Sequence, residues 1–138
     1  MAAIAKLADG RLCGTVPMQH AVVAALRGDR SHQVALRAAL KERAAITTTG
    51  LNAIPGMSCV APTAAFYAMP KVELPPGRTD EDYVLSLLRA TGVLCVYGSG
   101  FNTPPTEGYL RVVFLASPAE LRDIYGLMAA FTRDYLHG

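Results

Sequence analysis

Near the end of the chain, apolar residues return at intervals of three or four, at Leu121, Ile124, Met128, Phe131 and Tyr135, while Glu120, Arg122, Asp123 and Arg133 fill the opposite face. That period belongs to an α-helix with one buried stripe, and Ser117 stands where it caps the first turn. Residues 17–26, PMQHAVVAAL, place a proline in a first-turn position and Gly28 just past the end, which predicts another helix. A further helix is expected from an N-cap at Ser31. Its apolar stripe is read as Val34, Leu36, Leu40 and Ile46, with Arg37, Lys41 and Arg43 in water, and it ends near residues 48–50.

After Pro55-Gly56 the period changes. Residues 57–60 read as a short strand and 64–72 as a longer one containing Phe66, Tyr67 and Val72. Residues 71–78 form a proline-rich loop. Thr79, with Asp82 three residues on, caps a helix that points Val84, Leu87 and Leu88 inward and that Gly92 closes. Residues 93–97 and 110–115 are the two clearest strands, and the long loop over 98–108 between them is of the kind that often carries function. Helices and strands in this order predict an α+β fold, with helices packed on a small, mostly antiparallel sheet. One domain is expected over 1–138, with a helical lead-in over 1–50 and a sheet-and-helix core over 51–138.

Thirteen Lys and Arg against eleven Asp and Glu leave a net charge of +2 with no basic block, which argues against a nucleic-acid partner. The apolar fraction of 51% lies toward the high end for a soluble domain and hints at a surface that another domain or subunit covers. The longest uncharged stretch, 44–70, is broken by Pro55, Pro62, Pro70, Gly50 and Gly56, so it predicts no membrane span. The first residues carry too short an apolar run for a signal peptide, and a cytoplasmic location is expected. Cys13, Cys59 and Cys95 are far apart, with no C-x-x-C and no histidine at ligand spacing; buried reduced thiols are expected, and no metal site.

Among polar residues, Arg111 stands out, because it occupies the second place of the apolar strand LRVVFL on the same face as Val113 and Leu115. A guanidinium there needs an edge, water or an anion, and composition alone leaves both a solvated or paired arginine and a ligand-binding one open. The neighbouring loop, Gly98-Ser99-Gly100-Phe101-Asn102, permits close backbone approach and offers amide donors from Asn102. It is not a phosphate cradle, since a third glycine is missing and Pro104-Pro105 prevents an immediate helix. Lys6, Lys41 and Lys71 have no activating context for a Schiff base, and His20, His32, His137 and Ser99 form no recognisable triad in sequence.

Four segments together carry a family likeness: RLCGTVPMQHAVVAALRGD at 11–29, LNAIPGMSCVAPTAAFYAMPKV at 51–72, TGVLCVYGSGFN at 91–102 and YLRVVFLAS at 109–117. They resemble the C-terminal small domain of class I/II, fold-type I aminotransferases, and within them the alanine transaminase branch. The resemblance implies a pyridoxal-phosphate-dependent transferase that moves an amino group between an amino acid, alanine or glutamate, and a 2-oxo acid. It implies that Arg111 grips the substrate α-carboxylate, and that Asn102, Ser99 and Gly100 line the same pocket, which Tyr67 faces. One departure is Ala64, where the family usually has glycine. The resemblance further implies that the cofactor lysine and phosphate loop lie before residue 1, in a large domain of a homodimeric parent, and that this chain alone is inactive. A free-standing carboxylate-binding module and one half of a split enzyme remain as alternatives.

Overall fold

The computed structural model describes residues 2–11 and 14–137, so the expectation for Cys13 lies outside the described residues. The chain divides into two units, Met1–Ala35 and Leu36–Gly138. In the first, helix α1 (Ala2–Asp9) was not announced by any boundary signal; its sequence AAIAKLAD is half alanine, the residue of highest helix propensity. Helix α2 (Val16–Arg27) begins as expected, with Pro17 in its first turn, and ends where the Gly28 N–H donates to the Ala24 carbonyl. Neither helix buries a residue.

Helix α3 (Ser31–Asn52) corrects two expectations. Ser31 is its first helical residue rather than its cap, and the Asp29 carboxylate accepts from the Ser31 amide and hydroxyl. The expected stripe holds in its second half only: Leu40 and Ile46 are half-buried against the core, but Val34 and Leu36 are exposed, Arg43 is half-buried rather than in water, and the deepest line is Leu40 and Ala44, half-buried, then Thr47 and Leu51, fully buried. Those four positions still follow the helical period. The helix runs on past Gly50 to Asn52, whose amide both donates to the Cys59 carbonyl and accepts from the Cys59 N–H.

The second unit holds the greater part of α3, five short strands, two further helices and two 3-10 turns. Strand β1 (Met57–Ser58) pairs antiparallel with β3 (Lys71–Val72), and β2 (Tyr67–Ala68), β5 (Leu110–Val113) and β4 (Val96–Tyr97) form a second antiparallel sheet in the order β2-β5-β4. The α+β class and the antiparallel sheet are as expected, but the long strand over 64–72 is divided into β2 and β3. Pro70 stands at the division; it has no N–H to give, and its carbonyl accepts from Leu110. The strand expected over 93–97 is reduced to β4. Ala65, just before Phe66, adopts φ 59°, in the left-handed region that a residue other than glycine rarely takes.

Helix α4 (Asp80–Thr91) carries the anticipated box: the Thr79 hydroxyl accepts from the Asp82 N–H, and the Asp82 carboxylate accepts from the Thr79 N–H. Gly92 closes it in the left-handed conformation. Helix α5 (Pro118–His137) starts on a similar exchange between Ser117 and Glu120. Leu110, Val112 and Phe114 alternate into the core against Leu121 and Met128 of α5 and Val84 and Leu87 of α4. Tyr83 and Tyr125 are also buried, where Leu88 is only half-buried. Each tyrosine places its hydroxyl 2.7 Å from a buried threonine hydroxyl, Tyr83 on Thr132 and Tyr125 on Thr47. These pairs explain how four polar groups lie in the core without the cost of an unmatched donor.

Candidate carboxylate site on the outer sheet face

Because β5 alternates, burying Leu110 and Val112 turns Arg111 and Val113 to the other side of the sheet. Strand β5 is the central one of its three, so Arg111 has no open edge to reach. Its cross-strand neighbour is Val96, and Tyr67 stands opposite Val113 on the same face. The Arg111 guanidinium carbon lies 4.2 Å from the centroid of the Phe101 ring and 5.7 Å from that of Tyr67. Both rings hold a cation through its attraction to a π face and restrict where the fork can point.

The guanidinium meets no acid among the described residues. Among the described residues the one ion pair is an exposed contact at 3.8 Å between neighbours Arg133 and Asp134. The Arg111 Nε–H is buried and has no acceptor among the described residues. A buried donor without a partner is costly enough to be uncommon, and a planar fork of such donors fits the two oxygens of a carboxylate.

The loop that carries Phe101 is a 3-10 turn, Gly98–Phe101. Gly98 is buried, its N–H donates to the Tyr109 carbonyl at 2.7 Å, and a Cβ there would stand 2.6 Å from that same oxygen. Only glycine allows this approach of the two backbones. Ser99 turns inward: its N–H and its hydroxyl both donate to the Asp80 carboxylate, at 2.6 and 3.0 Å. Asn102 ends the turn in the left-handed region, φ 70°, with its N–H on the Ser99 carbonyl.

Of the residues singled out from sequence, the fold thus brings Arg111 and Tyr67 together on one face, with Phe101 over the guanidinium. Gly100 and the Asn102 side chain are exposed on the turn, and no hydrogen bond joins Asn102 to Arg111 among the described residues. The Ser99 hydroxyl is occupied by Asp80. Sequence reasoning passed over Asp80, which looks like one of three ordinary acids in the first turn of α4, and it named Phe101 only as part of a loop.

Other candidate chemistry recedes. Lys6 and Lys41 are exposed, and the Lys71 ammonium lies 5.3 Å from the Tyr109 ring centroid. No group of His, Cys, Asp and Glu among the described residues could hold a metal. Cys59 and Cys95 are buried free thiols, and burial pushes the Cys95 thiol up to about 11, away from reactivity. A cavity of about 320 Å³ between the segment leading into β4 and α5, lined by residues such as Leu94, Val113, Ile124 and Leu127, has no charged side chain in its wall. It offers nothing to a carboxylate. No helix among the described residues is long and apolar enough to cross a membrane.

Comparison with known proteins gives a consistent result. The family described as aminotransferase class I and II matches residues 1–125. An alanine aminotransferase of Mycobacterium tuberculosis is 43% identical over 136 residues, covering 96% of this chain and 32% of that protein. The glutamate-pyruvate aminotransferase AlaA of Haemophilus influenzae is 37% identical over 133 residues, covering 94% of this chain and 33% of the relative. Among solved structures, an alanine aminotransferase from Pyrococcus furiosus superposes with a TM-score of 0.79 at 37% identity, over 96% of this chain and 34% of that one. The chain spans about a third of the length of the curated relatives it matches.

Proposed function

Since this chain belongs to the class I and II aminotransferase family, we propose that it is the substrate-gripping part of a pyridoxal-phosphate-dependent transaminase that exchanges amino groups between alanine and glutamate through their 2-oxo acids. The observation that carries this reading is the open guanidinium of Arg111. It lies between two aromatic rings, has no acid partner among the described residues, and keeps a buried Nε–H unmatched. An amino acid and a 2-oxo acid share one group that such a fork recognises, the carboxylate beside the reacting carbon. Arg111 takes that carboxylate in a bidentate grip, and the rings of Phe101 and Tyr67 keep water from its flanks. Holding one end of the substrate fixes where the Cα bonds point, which is the positioning part of catalysis.

The residues of this chain do not fit as holders of the coenzyme itself. None of its three lysines is fully buried, and only Lys71 is even half-buried, with its ammonium over an aromatic ring. No chemical step is therefore assigned to residues of this chain beyond binding and orienting substrate. The rest of the site belongs, in this reading, to a large domain and a homodimeric partner, and the chain alone does not transaminate.

The test is substitution of Arg111 in the intact enzyme. Truncating one side of a desolvated charge pair costs about 2 kcal/mol or more, so Arg111→Ala raises KM for alanine and glutamate at least about thirtyfold. An unchanged KM for both substrates would overturn the reading. Covalent labelling of Lys6, Lys41 or Lys71 at a single site by pyridoxal phosphate and borohydride would overturn the division of labour.

A further inference from the structure

We infer that Asp80 is a positioning residue for Arg111, acting through the Gly98–Phe101 turn and the Phe101 ring; the inference rests on the reading of Arg111 as the carboxylate grip. Asp80 is fully buried, the one charged side chain so placed among the described residues. No cation faces it. Its oxygens instead meet three donors: Oδ1 accepts from the Glu81 N–H at 2.9 Å and the Ser99 hydroxyl at 3.0 Å, and Oδ2 accepts from the Ser99 N–H at 2.6 Å. A buried acid is tolerated only with such partners, and the first turn of α4 adds the favourable end of a helix dipole.

The consequence runs along the chain in two steps. Ser99 is held at both its amide and its hydroxyl, and its own carbonyl accepts the Asn102 N–H at 3.1 Å. Phe101 lies between those two anchored residues, and its ring centre is 4.2 Å from the Arg111 guanidinium carbon. Helix α4, fixed by its own capping box, thus sets the position of the Phe101 ring at the end of the turn. Asparagine at position 80 presents an NH2 group where the Ser99 donors need an acceptor, so the turn loses one of its anchors while the volume is nearly unchanged. The fork of Arg111 keeps its charge but is no longer held in one orientation before substrate arrives.

The experiment is a cycle of variants in the intact enzyme: Asp80→Asn, Phe101→Ala and the double variant. Asp80→Asn and Phe101→Ala are each expected to raise KM for alanine and for glutamate about tenfold with kcat within about twofold, and the double variant to be no worse than either single one. An unchanged KM in Asp80→Asn, or single effects that multiply to about a hundredfold in the double variant, would overturn the inference while the effect of Arg111→Ala leaves the carboxylate reading standing. Loss of the Arg111→Ala effect overturns both. If Asp80→Asn does not fold, Ser99→Ala removes only the hydroxyl contact and is expected to raise KM about threefold; no change there overturns the inference.

Discussion

The guanidinium carbon of Arg111 lies 4.2 Å from the centroid of the Phe101 ring, ten residues earlier in the chain, and 5.7 Å from that of Tyr67. An arginine without an acidic partner is usually free to wave in water. This one is held by two π faces, which stabilise a cation yet leave its donors unoccupied, and that is the property a reversible carboxylate site needs. Cation–π contacts of this kind contribute about 0.5–2 kcal/mol depending on exposure.

Phe101→Leu keeps an apolar cover over Arg111 and removes the π face. KM for alanine is expected to rise about three- to tenfold, while Phe101→Tyr stays close to the parent. Steady-state kinetics of the intact enzyme checks this, and equal values for the leucine and tyrosine variants would remove the role assigned to the ring.

Gly50 lies within α3, where alanine would ordinarily stabilise a helix by up to about 1 kcal/mol. Here an added Cβ would stand 2.7 Å from the Tyr125 ring, and that ring is pinned by its hydroxyl on Thr47. Overpacking against a fixed ring costs about 1–3 kcal/mol, so the strain outweighs the propensity gain. Gly50→Ala is expected to lower the urea midpoint of unfolding; a rise would mean that the two helices separate freely.

Burial raises the Cys95 thiol from an ordinary 9.0 to about 11, and the Tyr83 phenol from 10.0 to about 12. The folded state therefore holds protons that the unfolded chain has released. Stability contributed by the buried thiol is fully present below pH 9 and is lost as pH rises from 9 to 11, by about 2–3 kcal/mol over that window. Tyr83 adds a further loss above pH 10. Cys95→Ala is expected to flatten the 9–11 portion alone, measured as unfolding free energy against pH; an undiminished slope would assign it to other groups.

Features that depend on neighbours within one or two turns were readable from the residues. The Thr79–Asp82 box needs only a cap residue and an acid three places on, and both are in the sequence. The stripe of α5 from Leu121 to Met128 needs only a period, and the outward turn of Arg111 needs only alternation in β5. The expected stripe of α3 held at Leu40 and Ile46 and failed at Val34 and Leu36 for a related reason. Period constrains which residues share a face, but Val34 and Leu36 are exposed where Thr47 and Leu51 are buried, and nothing local distinguishes the two sets.

The sequence by itself determined the class of the fold, the outward face of Arg111 and the likeness to a transaminase family, because each is written in spacing and residue type over short stretches. The tertiary structure alone decided which distant polar groups meet. Asp80 and Ser99 are 19 residues apart, Thr47 and Tyr125 are 78, and Tyr83 and Thr132 are 49. A hydrogen bond over such a separation leaves no periodic trace, since its partners are chosen by how elements pack and by the demand that every buried polar group find a match.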